Sequence, residues 1–80
     1  MSQVRVEFTV EPFVDGHPGA HVLAAWAAVE ATGTELHSGP FSSEATIDET
    51  RLDEVVGGLV NAAFAHGADR VSLQVERMAP

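Results

Sequence analysis

The chain has 80 residues, 45% of them hydrophobic, and its twelve Asp and Glu against four arginines give a formal net charge of -8. That length holds one hydrophobic core and excludes a second, so residues 1–80 are read as a single domain with little stability to spare without a partner. The acidic balance repels phosphate backbones and anionic lipid, which excludes nucleic acid and membrane surfaces as partners.

The absence of cysteine removes disulfides, zinc-thiolate sites and thiol nucleophiles, and it suits a reducing compartment. No apolar run approaches the roughly 20 residues of a membrane span, and the first residues carry no apolar signal segment. A soluble, cytoplasmic protein is expected.

Taken in chain order, Val4, Val6, Phe8 and Val10 alternate strictly with Arg5, Glu7, Thr9 and Glu11, which predicts a strand over residues 4–12 with one dry and one wet face. Pro12 lacks the amide hydrogen needed to continue the ladder, and Phe13-Val14-Asp15-Gly16 reads as a turn. A helix is predicted from Pro18, where a missing donor costs nothing, to Gly33. Its expected buried face is Val22, Leu23, Trp26 and Val29, and its alanines favour helix and allow close approach to a sheet.

Residues 34–37 read as a short edge strand, and Ser38-Gly39-Pro40 as a turn. Residues 41–47 form a third strand whose inward face the alternation leaves open. Thr50-Arg51-Leu52-Asp53 resembles a capping box, opening a second helix with Leu52, Val55, Val56, Leu59, Ala63 and Phe64 as its buried stripe. Gly57-Gly58 inside that helix suggests close backbone packing, and Gly67 suits the left-handed position after it. Val71, Leu73 and Val75 alternate with Ser72, Gln74 and Glu76 in a last strand.

Strand, helix, strand, strand, helix, strand is the α+β order of a ferredoxin-like βαββαβ fold: a four-stranded antiparallel sheet with two helices on one face. Right-handed crossovers put the first strand between the third and the fourth. Arg5, Glu7 and Thr9 then share the uncovered face with Ser72, Gln74 and Glu76.

The run Val6-Glu7-Phe8-Thr9-Val10-Glu11-Pro12, the helix end Ala31-Thr32-Gly33, the turn Gly39-Pro40-Phe41-Ser42-Ser43, the segment Leu52-Asp53-Glu54-Val55, and Ala65-His66-Gly67-Ala68-Asp69-Arg70-Val71 together resemble the small prokaryotic thiamine-binding protein family. The resemblance spans nearly the whole chain and rests on the order and spacing of these segments. It implies a ferredoxin-like subunit, a homodimer or homotetramer, that binds thiamine or its hydroxymethylpyrimidine portion without transforming it. Glu7 and Thr9 stand at the family's acidic and hydroxyl positions on the first strand, and Ser43 stands where relatives carry threonine after the turn. The sequence departs from the family around His17, Gly19 and His21, where relatives have hydroxyl residues, and over residues 44–49, which lack a Glu-Gly-Asp run.

An aminopyrimidine presents an exocyclic donor and ring acceptors, so its site needs a carboxylate or carbonyl, a hydroxyl or amide donor, and an apolar wall. Glu7, Thr9, Ser43 and Gln74 are the candidate ligand-binding residues, and Glu7 or Glu76 can balance a thiazolium charge. The competing reading of these residues is an ordinary solvent-facing strand. Trp26, Phe8 and Phe64 are assigned to the core.

His17 and His21 lie four apart, a spacing that suits two ligands of a metal on a helix, but Pro18 and Gly19 put His17 before the helix and no third ligand is apparent, so no metal and no cofactor is expected. No activated serine, oxyanion site or phosphate loop is evident, so no catalytic residue is named. The alternatives to a binding protein are a small oligomeric enzyme with an intersubunit cleft and a structural or regulatory interaction module.

Overall fold

In the computed structural model, which describes residues 2–39 and 42–79, the first strand is the axis of the molecule. Strand β1 (Gln3–Glu11) buries Val4, Val6, Phe8 and Val10 and leaves every intervening side chain at least partly in solvent. It is followed by α1 (Ala20–Ala31), β2 (Leu36–Ser38), β3 (Ser43–Asp48), a single 3-10 turn (Glu49–Arg51), α2 (Leu52–Ala65) and β4 (Arg70–Arg77). The sheet is antiparallel throughout in the order β2-β3-β1-β4, with both helices on one face. This is the α+β ferredoxin-like arrangement, with β1 between β3 and β4.

The pairing fixes the face of each residue. Val4, Val6 and Phe8 lie opposite Ile47, Ala45 and Ser43 on one side and opposite Arg77, Val75 and Leu73 on the other, so all of these point toward the helices. The alternation of β3 is thereby resolved: Ser43, Ala45 and Ile47 are buried. Phe41 and Pro40, part of the predicted turn and third strand, lie outside the described residues; on either side of them the Gly39 N–H donates to the Ser42 carbonyl at 2.8 Å.

The core is small and, apart from Phe8, aliphatic. Val6, Val29, Val55 and Leu59 are fully enclosed, each contributing about 1.5–3 kcal/mol of transfer free energy. In α2 the buried line is Val55, Leu59 and Ala63, flanked by half-buried Leu52 and Val56, whereas Phe64 is half exposed rather than part of the stripe. In α1 the buried line is His21, Ala25 and Val29. Val22 and Trp26 pack against the core's edge, and Leu23 stands out in solvent. The predicted face was rotated because α1 is apolar nearly all round, so periodicity alone did not orient it; the small Ala25 turns inward and lets the helix lie close.

The helix ends also differ from expectation. Helix α1 begins at Ala20, with extended Gly19 as its N-cap, and Pro18 precedes that cap. The predicted Thr50 cap of α2 does not form: α2 is entered from Arg51 with no side-chain cap, and the 3-10 turn before it is capped by Asp48, whose Oδ1 accepts from both the amide and the hydroxyl of Thr50 at 2.9 Å. An acid two residues upstream competes successfully because it charges the hydrogen bond. At the far end of α2, His66 Nδ1 donates to the Ala62 carbonyl at 2.9 Å, and Gly67 takes the left-handed conformation at φ 104. Among the described residues, no helix is long and apolar enough to cross a membrane.

The glycine pair in α2 is not explained by close packing, since a Cβ added at Gly57 or Gly58 meets no heavy atom within 4 Å. Each glycine therefore costs helix stability with no compensating approach. Gly57→Ala and Gly58→Ala should each raise the unfolding free energy by up to about 1 kcal/mol, read from urea denaturation.

Asp48 supplies a pH signature. The Thr50 amide first, and then the Thr50 hydroxyl, hold its carboxyl below its ordinary value of 3.8. A carboxyl lowered in the folded state stabilises fully above its unfolded pKa and loses that contribution as the pH falls through the lower folded value. The difference in urea midpoint between wild type and Asp48→Asn should therefore be constant above pH 3.8 and shrink toward zero in stronger acid.

Candidate functional site

The eight residues from Pro12 to Gly19 carry the chain from the end of β1 back to α1 and leave an open cavity of about 720 Å³ at that end of the sheet. Phe8 and Val10 of β1 and Val22 and Trp26 of α1 supply apolar wall. Phe13 and Val14 contribute from the loop although they are 67% and 44% exposed, and Asp15 and His17 bring polar groups from the same segment. Gly39 and Ser42, between β2 and β3, and Ser43 at the start of β3 also line it.

Two contacts hold this end together. His21 is buried, and its Nε2 lies 2.6 Å from the Pro12 carbonyl; a carbonyl only accepts, so this nitrogen carries the proton. The imidazole thus ties the first turn of α1 to the end of β1. Its fit depends on Gly19, where an added Cβ would lie 2.6 Å from His21 Cε1 and 3.1 Å from Val14 Cγ2. Glycine is required here by close approach, not by an unusual backbone angle.

The second contact is at the cavity wall, where Trp26 Nε1 donates to Ser43 Oγ at 2.7 Å. Ser43 is buried, and accepting from the indole leaves its own O–H available as a donor. The partner of the hydroxyl is another donor, not a base, so this serine lacks the activation a nucleophile requires.

The four sequence candidates divide between two faces of the sheet. Ser43 lines the large cavity on the helix face; Thr9, on the same uncovered face as Glu7, borders that cavity only where β1 ends. Glu7 and Gln74 are cross-strand partners on the opposite, uncovered face. There they line a shallow depression of about 170 Å³ together with Arg5 and Glu76, whose side chains form an ion pair at 2.6 Å. A one-residue step in a strand reverses the face, so Glu7 and Ser43 are not gathered into one site.

Asp15, rather than Glu7, supplies the carboxylate lining the large cavity. Trp26, assigned from its spacing to the core, is half-buried and forms wall. The sequence signal for the loop was Phe13-Val14, two apolar side chains in a proline- and glycine-bounded segment with no periodic face to bury them. His17 and His21 do not form a ligand pair: His21 Nε2 is committed to Pro12, and His17 Nδ1 lies 3.2 Å from the Pro18 carbonyl. Among the described residues, no group of three His, Asp or Glu side chains is placed to hold a metal ion.

No family model matches the chain, and no curated protein matches it. The chain is similar to a solved structure from Bacillus cereus described as a domain of unknown function, DUF77, with a TM-score of 0.70 and 22% identity over 99% of this chain and 78% of that one. At that identity the likeness establishes the fold.

Removing the Ser43 hydroxyl leaves the indole N–H without its partner. Ser43→Ala should therefore destabilise the domain by about 1–3 kcal/mol and shift the emission of Trp26, the single tryptophan. Ser43→Thr, which retains the acceptor, should largely preserve that emission.

Proposed function

We propose that this chain is a non-catalytic binding protein for thiamine or its hydroxymethylpyrimidine moiety, acting in the cytoplasm as a self-associated subunit in sequestration, sensing or delivery. The observation that carries the reading is the cavity of about 720 Å³ at the end of β1, a volume within the range of small-molecule sites. Its composition matches the chemistry of the ligand. The aromatic and aliphatic wall suits a flat heterocycle, the Asp15 carboxylate accepts from an exocyclic amine or balances a cationic ring, and the Ser43 hydroxyl donates to a ring nitrogen. The chain's resemblance to thiamine-binding proteins points the same way.

A second reading, a small ferredoxin-like enzyme, is favoured by one feature: His17 lines the same cavity and brings an imidazole suited to proton transfer. Binding and turnover are separated by experiment.

Thermal unfolding should be followed with thiamine, its phosphates and hydroxymethylpyrimidine. A specific ligand at 100 times its dissociation constant stabilises by about 2.7 kcal/mol, or roughly 10–20 °C in a domain of this size. Asp15→Asn and Trp26→Ala should abolish a saturable shift while Glu7→Gln leaves it unchanged. No shift with any of these compounds in the folded protein would overturn the ligand assignment. Consumption of a bound compound, lost on His17→Ala, would establish the enzyme instead.

A further inference from the structure

Strand β4 is the long free edge of the sheet. The opposite edge, β2, has three residues, whereas β4 has eight and, among the described residues, pairs only with β1. Met78 N–H donates to the Gln3 carbonyl at 3.0 Å. Alternation along an antiparallel ladder then directs the peptide groups of Arg70, Ser72, Gln74 and Glu76 toward β1. Those of Val71, Leu73, Val75 and Arg77 face outward. Among the described residues the strand carries no proline or lysine and no segment covers its edge; its charges, Arg70, Glu76 and Arg77, stand at its two ends and leave Val71 to Val75 uncharged. On the helix face, Leu73 and Val75 remain 37% and 48% exposed.

The order of side chains along the strand says what completes it. Arg70-Val71-Ser72-Leu73-Gln74-Val75-Glu76 is complementary to its own reverse. Laid antiparallel against a second copy about a two-fold axis through Leu73, it sets Arg70 opposite Glu76, Val71 opposite Val75, Ser72 opposite Gln74 and Leu73 opposite Leu73. Asp69, just before the strand, comes to the end of the ladder near Arg77. The outward peptide groups are those of odd-numbered residues, and this register matches odd with odd, so the hydrogen-bonding phase agrees.

Sliding by one step to a two-fold axis at Ser72 or at Gln74 sets Arg70 opposite Gln74, or Glu76 opposite Ser72, and loses both charge pairs. Among the described residues Arg70 has no ion-pair partner, while Glu76 is shared with Arg5 and Arg77 with Glu49.

We infer that the free edge of β4 is a self-association surface, joining two copies antiparallel about Leu73 into one continuous eight-stranded sheet with Arg70 of each copy paired to Glu76 of the other. This fixes the edge and register of the self-association proposed above and does not depend on the cavity or its ligand. Opposed charges and apolar cross-strand pairs supply the selectivity, and the added peptide bonds supply the continuity of the sheet.

The test is sedimentation of the wild type and two charge-reversed variants, alone and mixed. Wild type should be dimeric or a multiple of a dimer across the micromolar range. Arg70→Glu sets Glu against Glu at both ends, and Glu76→Arg sets Arg against Arg, so each alone should weaken association by about tenfold or more. Mixed together, the two variants restore both opposite-charge pairs, so heterodimers should form with near wild-type affinity. That rescue is independent of any effect either variant has on its own folding. In this cysteine-free chain, cross-linking of Leu73→Cys to itself should exceed that of Ser72→Cys and Gln74→Cys. A monomeric wild type, charge variants that associate as wild type does, or a mixture that fails to form heterodimers would each overturn the inference.

Discussion

Everything in this domain hangs on the two-residue alternation of β1. Its four apolar side chains are all buried, and the strand is the one element hydrogen-bonded on both sides along most of its length, to β3 and to β4. Because a strand offers opposite faces to successive residues, the same register that buries Val4, Val6, Phe8 and Val10 commits Arg5, Glu7, Thr9 and Glu11 to the other side. The helices have little freedom after that. They must cover Val6 and its neighbours in β3, and Val29, Val55 and Leu59 close over them.

The consequence for function is a division of labour between the two faces. The uncovered face carries charge and amide groups in cross-strand pairs, with Arg5 neutralising Glu76. The helix face carries the cavity, at the end where β1 runs out and the chain must return to α1. Pro12 cannot extend the ladder, so the chain leaves the sheet there, and the buried His21 holds its carbonyl from the helix. The loop that results keeps Phe13 and Val14 outside the core. Apolar surface that a small domain leaves open beside polar groups is what a heterocyclic ligand needs.

Coverage of the helix face is also incomplete at its other margin. Leu73 and Val75 of β4 face the helix side yet remain exposed, because two helices of 12 and 14 residues close over β1 and β3 before reaching the edge strand. Both margins follow from one limit, the size of the core that 80 residues can enclose. One margin is concave with mixed chemistry; the other is an extended edge with unpaired peptide groups.

The sequence by itself determined the fold class, the strand order and the dry face of β1, because alternation and helical spacing are local patterns that survive without knowledge of neighbours. It placed Gly67 after α2 for the same reason, as a requirement of the local backbone. It did not determine the orientation of α1, since a helix with alanine on most sides has no single apolar stripe to read, and it missed the Asp48 cap by favouring Thr50. Only the tertiary structure decided the site. The inward turn of Ser43 was set by its pairing opposite Phe8, and the role of Trp26 by a hydroxyl 17 residues away in the chain. Asp15 and Phe13 joined them through a loop whose course depends on one buried imidazole. Such groupings are made by contacts between distant residues, and no local period records them.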